Sequence, residues 1–257
     1  VSHIEPLINE NTKVIMAVHI YGLTVDIDPV LEIARKYNLR VIEDAAEVIG
    51  QTYKDKPCGS FSDISTFSFY PNKHITTGEG GMVMVNNDEL AEKSKELRNL
   101  SFGKIERFKH EEKGWNFRMS NLQAAVGVAQ LERLSQSIKK KKKIGEYYRN
   151  YLKDNENFLL PLPKTDYCEN IYWVFGLVSN NKTRDAKWWI QQLSEKKIGT
   201  RPFFYPMHRQ PCIDQKKRGK IKLPISEKLS KYGFYIPSGL LLNEEKLKVI
   251  TKLINSL

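Results

Sequence analysis

The stretch FSFYPNKHITTGEGGM, Phe67 to Met82, sets one lysine, Lys73, among aromatics, hydroxyls and glycines in a chain that otherwise scatters lysine freely. Lysine is the side chain that condenses with a carbonyl carbon, provided it can become a neutral amine, which burial and neighbouring groups achieve by lowering its pKa. Upstream, RVIED ends in Asp44, 73 − 44 = 29 positions earlier. A buried carboxylate keeps a pyridine-type ring nitrogen protonated, and such a ring accepts the electrons released when a proton leaves carbon. One Asp and one Lys at this separation carry little information by themselves. A surface lysine and a turn or helix-cap aspartate are the plainer roles.

The flanking segments must bring the two together. VIMAVHIYG (14–22) reads as a buried strand, DPVLEIARKYN (28–38) has the apolar spacing of a helix, and LRVIED resumes a strand. Strand, helix and strand within about 30 residues form a parallel βαβ unit. Ligands of such sheets gather at the carboxyl ends of strands, where Asp44 stands. ISTFSFY alternates like a strand and MVMVN resumes one after TTGEGG, so a hairpin-like pair is expected around Lys73. DELAEKSKELRN is a charged amphipathic helix, and SNLQAAVGVAQLERLSQSIKKKKKIGEYYRNYLKD reads as one long helical pattern with Ser120 as N-cap. The Pro-containing, polar region 155–168 reads as a boundary. After it come a strand (IYWVFGLVS), a helix (DAKWWIQQLSEKK), an aromatic turn-rich segment (TRPFFYPMHRQP) and a closing helix (NEEKLKVITKLINS). The expectation is an α/β domain over 1–150 followed by a smaller α+β domain over 151–257.

Composition sets the bounds. With 257 residues, 40% of them hydrophobic, the chain can build one large or two modest cores, and it is neither disordered nor fibrous in character. The formal charge of +11 favours polyanions, phosphorylated ligands or acidic surfaces as partners. The run Lys139 to Lys143 continues a helical pattern and reads as a solvated face. No aromatic-interleaved RNA motif, zinc finger or basic region with heptads accompanies it, so nucleic acid is not the expected partner. Cys58, Cys168 and Cys212 are odd in number and far apart, which argues against a disulfide framework and against a metal site and fits a reducing cytoplasm. No apolar run approaches the roughly 20 residues of a membrane helix, and VSHIEPLINEN lacks the regions of a signal peptide.

Five blocks carry a family resemblance: EDAAEVIG (43–50), SFYPNKHITTGEGGM (68–82), GWNFRMSNLQAAVGVAQL (114–131), TRPFFYPMH (200–208) and YIPSGLLLNEEKL (235–247). In their order and spacing they resemble consecutive landmarks of the pyridoxal-phosphate-dependent nucleotide-sugar aminotransferases, over nearly the whole chain. The resemblance implies a fold-type I aminotransferase, with a partial large domain built on a mixed, mostly parallel sheet and a small C-terminal domain. Within the family, EDAAE, FYPNKHITTGEGG and TRPFFYPMH look most like the perosamine synthase branch. That branch aminates GDP-4-keto-6-deoxymannose with L-glutamate for surface polysaccharides.

The resemblance further implies that Lys73 binds pyridoxal 5′-phosphate covalently and then shuttles a proton, and that Asp44 pairs with the ring nitrogen. Glu47 would sit near the ring, and Ser68 would donate to the phosphate. A related 3-dehydratase branch carries histidine in place of the lysine. Lys73 followed by His74 therefore reads as a transaminase, with His74 a neighbouring pocket residue. The family site is completed by a second subunit, and residues 108–120 with the preceding Arg107 resemble the part that reaches across. Asn116 and Arg118 would then contact cofactor or sugar phosphates, while His110, Arg201 and His208 match positions near the sugar. The family's preceding block, with a Ser-Gly-Thr phosphate turn and a ring-stacking aromatic, has no counterpart here, so the chain reads as a fragment with exposed sheet surface. A non-catalytic fragment, a basic binding protein, and an aminotransferase for another nucleotide-linked keto sugar remain the alternatives. So do 3- and 4-amination.

Overall fold

The computed structural model describes residues 1–102, 106, 108–213 and 221–257, which form two compact units. One comprises 1–138 and 164–171, the other 139–163 and 172–257.

In the first unit, β1 (Val14–Val18), β2 (Arg40–Asp44) and β5 (Ile64–Ser68) run parallel, and β6 (Gly81–Val85) pairs antiparallel to β5, in the order β1-β2-β5-β6. The mixed, mostly parallel sheet is the one the family resemblance implies, and the pairing across the Lys73 turn is the one expected from the alternating patterns. A separate ribbon joins β3 (Thr52–Tyr53) to β4 (Lys56–Pro57). Helix α1 (Ile27–Lys36) makes the β1–β2 crossover, with Asp28 in its first turn and Arg35 and Lys36 in its last, the charge order its dipole favours. Its buried Ile27, Val30 and Ala34 pack with Ala17, Val41, Ala45 and Val48.

That packing covers β1 and β2 on one face of the sheet, while β6 keeps Met82 and Met84 of that face exposed. The opposite face leaves Val14, Met16, Val18 and Val83 between 40% and 60% exposed, so in β1, expected to be buried, only Ala17 is buried and Ile15 is half-buried. Parallel strands are ordinarily covered on both faces.

Helix α2 (Asp88–Arg98) starts at Asn87, whose side chain accepts from the Leu90 N–H. The expected single long helix is two, α3 (Asn121–Leu131) and α4 (Leu134–Leu152). No glycine or proline marks the break at Glu132 and Arg133, which is why the apolar spacing reads straight through it. Ser120 does cap α3, in a reciprocal box with Gln123.

In the second unit, β7 (Phe158–Leu159), β8 (Phe175–Ser179), β10 (Gly233–Ile236) and β9 (Arg201–Pro202) form an antiparallel sheet in that order. Helices α5 (Ala186–Glu195), α6 (Pro224–Tyr232) and α7 (Glu244–Asn255) complete it, α5 and α7 being capped by Asp185 and Asn243. All five residues of β8 are buried, and Trp189, Phe158, Phe175, Phe234 and Tyr148 fill the core.

The lysine run on α4 is not a uniformly solvated face. Lys141 is 7% exposed, and its ammonium donates to the carbonyls of Trp173 and Ser238, both at 2.7 Å, and to Ser238 Oγ at 3.2 Å. Two turns along, Tyr148 donates its hydroxyl to the Pro237 carbonyl at 2.6 Å, so the helix is fixed to the end of β10 at two points. Burial pushes Lys141 down to about 8. The unfolded chain therefore binds more protons than the folded one between that value and the ordinary 10.5, and stability should rise with pH across this window. Urea midpoints for wild type and Lys141→Met measured from pH 7.5 to 10.5 check this. The wild type should gain about 3 kcal/mol relative to the variant, which has nothing to titrate at that site.

Candidate active site

The chemistry of β2 follows from its period of two. Glu43 points to the face covered by α1 and is fully buried, whereas Asp44 shares the open face with Val18 and Thr66, its register partners. Ser68, two residues beyond Thr66 on β5, lies on the same face. Asp44 ends its strand and turns the chain by accepting the Ala46 N–H at 3.1 Å. Ser68 Oγ accepts from the Tyr70 N–H at 3.3 Å and keeps its own O–H to give.

The turn after β5 carries Lys73 back towards the strand ends. Its N–H donates to the Tyr70 carbonyl at 3.0 Å, Thr76 Oγ1 donates to the Phe69 carbonyl at 2.8 Å, and the Phe69 N–H donates to Gly80 at 2.9 Å. Gly80 is left-handed at φ 149°, and a Cβ there would lie 2.6 Å from Thr77 Oγ1. The glycine is thus required by close approach within the turn itself.

Lys73 Nζ lies 3.7 Å from Glu47 Oε1, with the two side chains 10% and 9% exposed. The other Glu47 oxygen accepts the Tyr21 N–H at 2.9 Å, and Tyr21 offers it from a left-handed conformation, φ 57°, followed by Gly22. Burial pushes Lys73 below the ordinary lysine range, opposed by the charges of Glu47 and Asp44. Burial likewise pushes Glu47 above the ordinary carboxylate range, opposed by the Tyr21 N–H and by Lys73. The two carboxylates come from 26 and 29 positions upstream, so the immediate sequence neighbours of the lysine do not show them.

Behind this cluster stands a pair that sequence reading missed. Glu43 Oε1 lies 3.1 Å from His19 Nε2 and accepts the Gly59 N–H, while Oε2 accepts from the N–H groups of Phe61 and Ser62 and from Ser62 Oγ. His19 Nδ1 accepts the Val25 N–H at 3.0 Å, which leaves the ring proton on Nε2, pointing at Glu43. Burial works to raise Glu43, but the bonds from His19, Gly59, Phe61 and Ser62 outweigh it and hold the group below the usual carboxylate range. The signal was available: in an alternating strand that places Asp44 on one face, period two puts Glu43 on the other.

The remaining candidates fall in separate places. His74 is buried beside Lys73. Asn116 and Arg118 are exposed and bonded to each other, Arg118 Nε donating to Asn116 Oδ1 at 3.1 Å. Their segment is tied to α2 through Trp115 N–H to Leu97 and Phe117 N–H to Arg98, while Arg107 lies outside the described residues. His110 donates from Nδ1 to the Leu100 carbonyl at 2.7 Å. Arg201 and His208 belong to the second unit. Arg201 is exposed on β9 opposite Tyr235, and His208 is buried with Nε2 2.9 Å from Glu227, which Arg209 also contacts.

A buried lysine whose charge is disfavoured, facing strand-end carboxylates in an α/β unit, defines a protein equipped for chemistry at a carbonyl carbon. The chain belongs to the DegT/DnrJ/EryC1/StrS aminotransferase family, whose model matches residues 1–255. It is 39% identical over 256 residues to the GDP-perosamine synthase of Escherichia coli O157:H7, covering 99% of this chain and 68% of that protein. It is 41% identical over 211 residues to the GDP-perosamine synthase of Caulobacter vibrioides, covering 81% of this chain and 56% of that protein. Among solved structures, PseC of Helicobacter pylori, an aminotransferase involved in the biosynthesis of pseudoaminic acid, superposes with a TM-score of 0.91 at 27% identity, over 98% of this chain and 68% of that one.

Glu43 is the part of the frame whose removal is most informative. Glu43→Gln sets an amide among donors that need an acceptor, and should cost about 2–4 kcal/mol in urea unfolding at pH 7. Because its folded value is depressed, the stabilisation is fully present above the ordinary 4.5 and is lost as pH falls through the folded value. The gap between wild type and variant should accordingly narrow below about pH 4.5.

Proposed function

We propose that the protein transfers an amino group from L-glutamate to a nucleotide-linked 4-keto-6-deoxy sugar, using pyridoxal 5′-phosphate. The observation that carries this reading is the buried Lys73 amine 3.7 Å from Glu47, with Asp44 at the neighbouring strand end. The donor set suits the cofactor: an amine whose neutral form is favoured, a carboxylate for a ring nitrogen, and a hydroxyl, Ser68, on the same sheet face for a phosphate.

The cofactor, when bound, supplies an aldehyde carbon conjugated to an electron-accepting ring. Lys73 would hold that carbon through Nζ and, when released, would carry a proton between the reacting carbons. Asp44 would keep the proton on the ring nitrogen. Glutamate would leave as 2-oxoglutarate before the sugar enters, which predicts ping-pong kinetics. Asn116 and Arg118 are assigned to phosphate oxygens, for which a guanidinium fork is suited. His74, His110, Arg201 and His208 are assigned to the sugar side. The preferred sugar nucleotide is GDP-4-keto-6-deoxymannose, on the strength of the two synthases, and PseC marks how near other sugars lie.

A second copy is the proposed partner. Trp115 and Phe117 stack on each other at 6.0 Å while 51% and 71% exposed, and Leu122, Val126, Val128 and Leu131 leave α3 apolar outward. Patches of this kind mark association surfaces. The competing reading, a basic binding protein without catalysis, has nothing to account for the Lys73 cluster.

Borohydride reduction with pyridoxal phosphate, followed by peptide mapping, tests the proposal. The label should fall on Lys73, and Lys73→Ala should lose both label and transamination; label elsewhere, or normal turnover by that variant, would end it. Asp44→Asn should retain the label while losing on the order of 100-fold or more in turnover, the scale of one charge-stabilising contact.

A further inference from the structure

We propose that Glu47 is the proton acceptor for Lys73, taking a proton from Nζ on Oε1 before the amine attacks a carbonyl carbon. This rests on the reading of Lys73 given above and adds a second catalytic residue to it.

The geometry gives Glu47 two differently employed oxygens. Oε2 is fixed by the Tyr21 N–H at 2.9 Å, and Oε1 is the oxygen that faces Nζ at 3.7 Å. The clamp is rigid because Tyr21 lies in a short turn closed by the Leu23 N–H to Ile20 bond, and His19 at its start is gripped between Glu43 and Val25. The charged groups facing Glu47 are Lys73 from the turn after β5 and Asp44 from the end of β2. Asp44 is committed to the ring nitrogen, which leaves Glu47 for the lysine. Water has little access to either side chain. An ammonium and a carboxylate there become, by one proton transfer, an amine and a carboxylic acid, and burial favours the neutral form of each.

The step balances. The Nζ–H bond breaks and Oε1–H forms; the freed lone pair makes the N–C bond. The two protons left on nitrogen pass to the former carbonyl oxygen, which departs as water as the N–C double bond closes. Glu47 ends protonated, and nothing is oxidised or reduced. In the reverse sense Glu47 returns the proton when Lys73 is released.

The test is the rate at which the protein and pyridoxal phosphate form the lysine-bound chromophore, followed by stopped flow at pH 7, with the site checked by borohydride and mapping. Glu47→Ala and Glu47→Gln should form it about 100-fold more slowly or worse, within the usual span of a lost general base. Added acetate should accelerate Glu47→Ala in proportion to its concentration, while chloride at equal ionic strength should not. That rescue separates a proton acceptor from a merely structural carboxylate. Variants as fast as wild type, or a slow Glu47→Ala indifferent to acetate, would overturn the role of Glu47 and leave that of Lys73 standing. A wild type that forms no adduct at Lys73 would overturn both.

Discussion

The first unit is organised around one buried carboxylate. Glu43 has no exposed surface, and five donors from two segments converge on it: His19, Gly59, Phe61 and, twice, Ser62. An ionised group in so dry a place persists only if its partners replace the water it has lost. Those partners fix the start of the turn after β1 and the loop before β5 relative to β2. From them follow the direction of the Tyr21 N–H, the placing of Glu47, and the side on which Asp44 emerges. The inward glutamate holds the frame, and its outward neighbour emerges on the open face.

Much of this was legible from residue order. The βαβ unit and the pair around Lys73 follow from periods of 3.6 and 2, which are properties of neighbours along the chain. So does the cap at Ser120, whose short polar side chain precedes an apolar-spaced run. What escaped depends on contacts between residues distant in sequence. The 3.7 Å approach of Lys73 to Glu47 spans 26 positions, and the burial of Lys141 depends on Trp173 and on Ser238, 97 positions away. The short β10 and helix α6 also escaped, because four and nine residues offer few periods to count. The family resemblance singled out Asp44, Lys73 and Ser68, but not His19 or Glu43, which act through the backbone of others.

The two units use buried charge differently. In the first, Glu43 meets an imidazole and backbone N–H donors, and the anion is the stable form. In the second, Lys141 meets neutral oxygens alone, so its hydrogen bonds compensate desolvation only in part. Five consecutive lysines look equivalent on paper. On α4 the helical advance of 100° per residue sends one of them inward, and its long stem carries the ammonium to the end of β10.

The open face of the first sheet has a consequence for the site. Val14, Met16, Val18 and Val83 share that face with Asp44, and water now reaches it. Any body that seats itself on those side chains, whether polypeptide or ligand, also strips solvent from beside the aspartate. Its charge would then act through a medium of lower dielectric, and each interaction with a bound cation would grow in proportion. Covering those apolar side chains and strengthening the field that Asp44 exerts would thus be a single event.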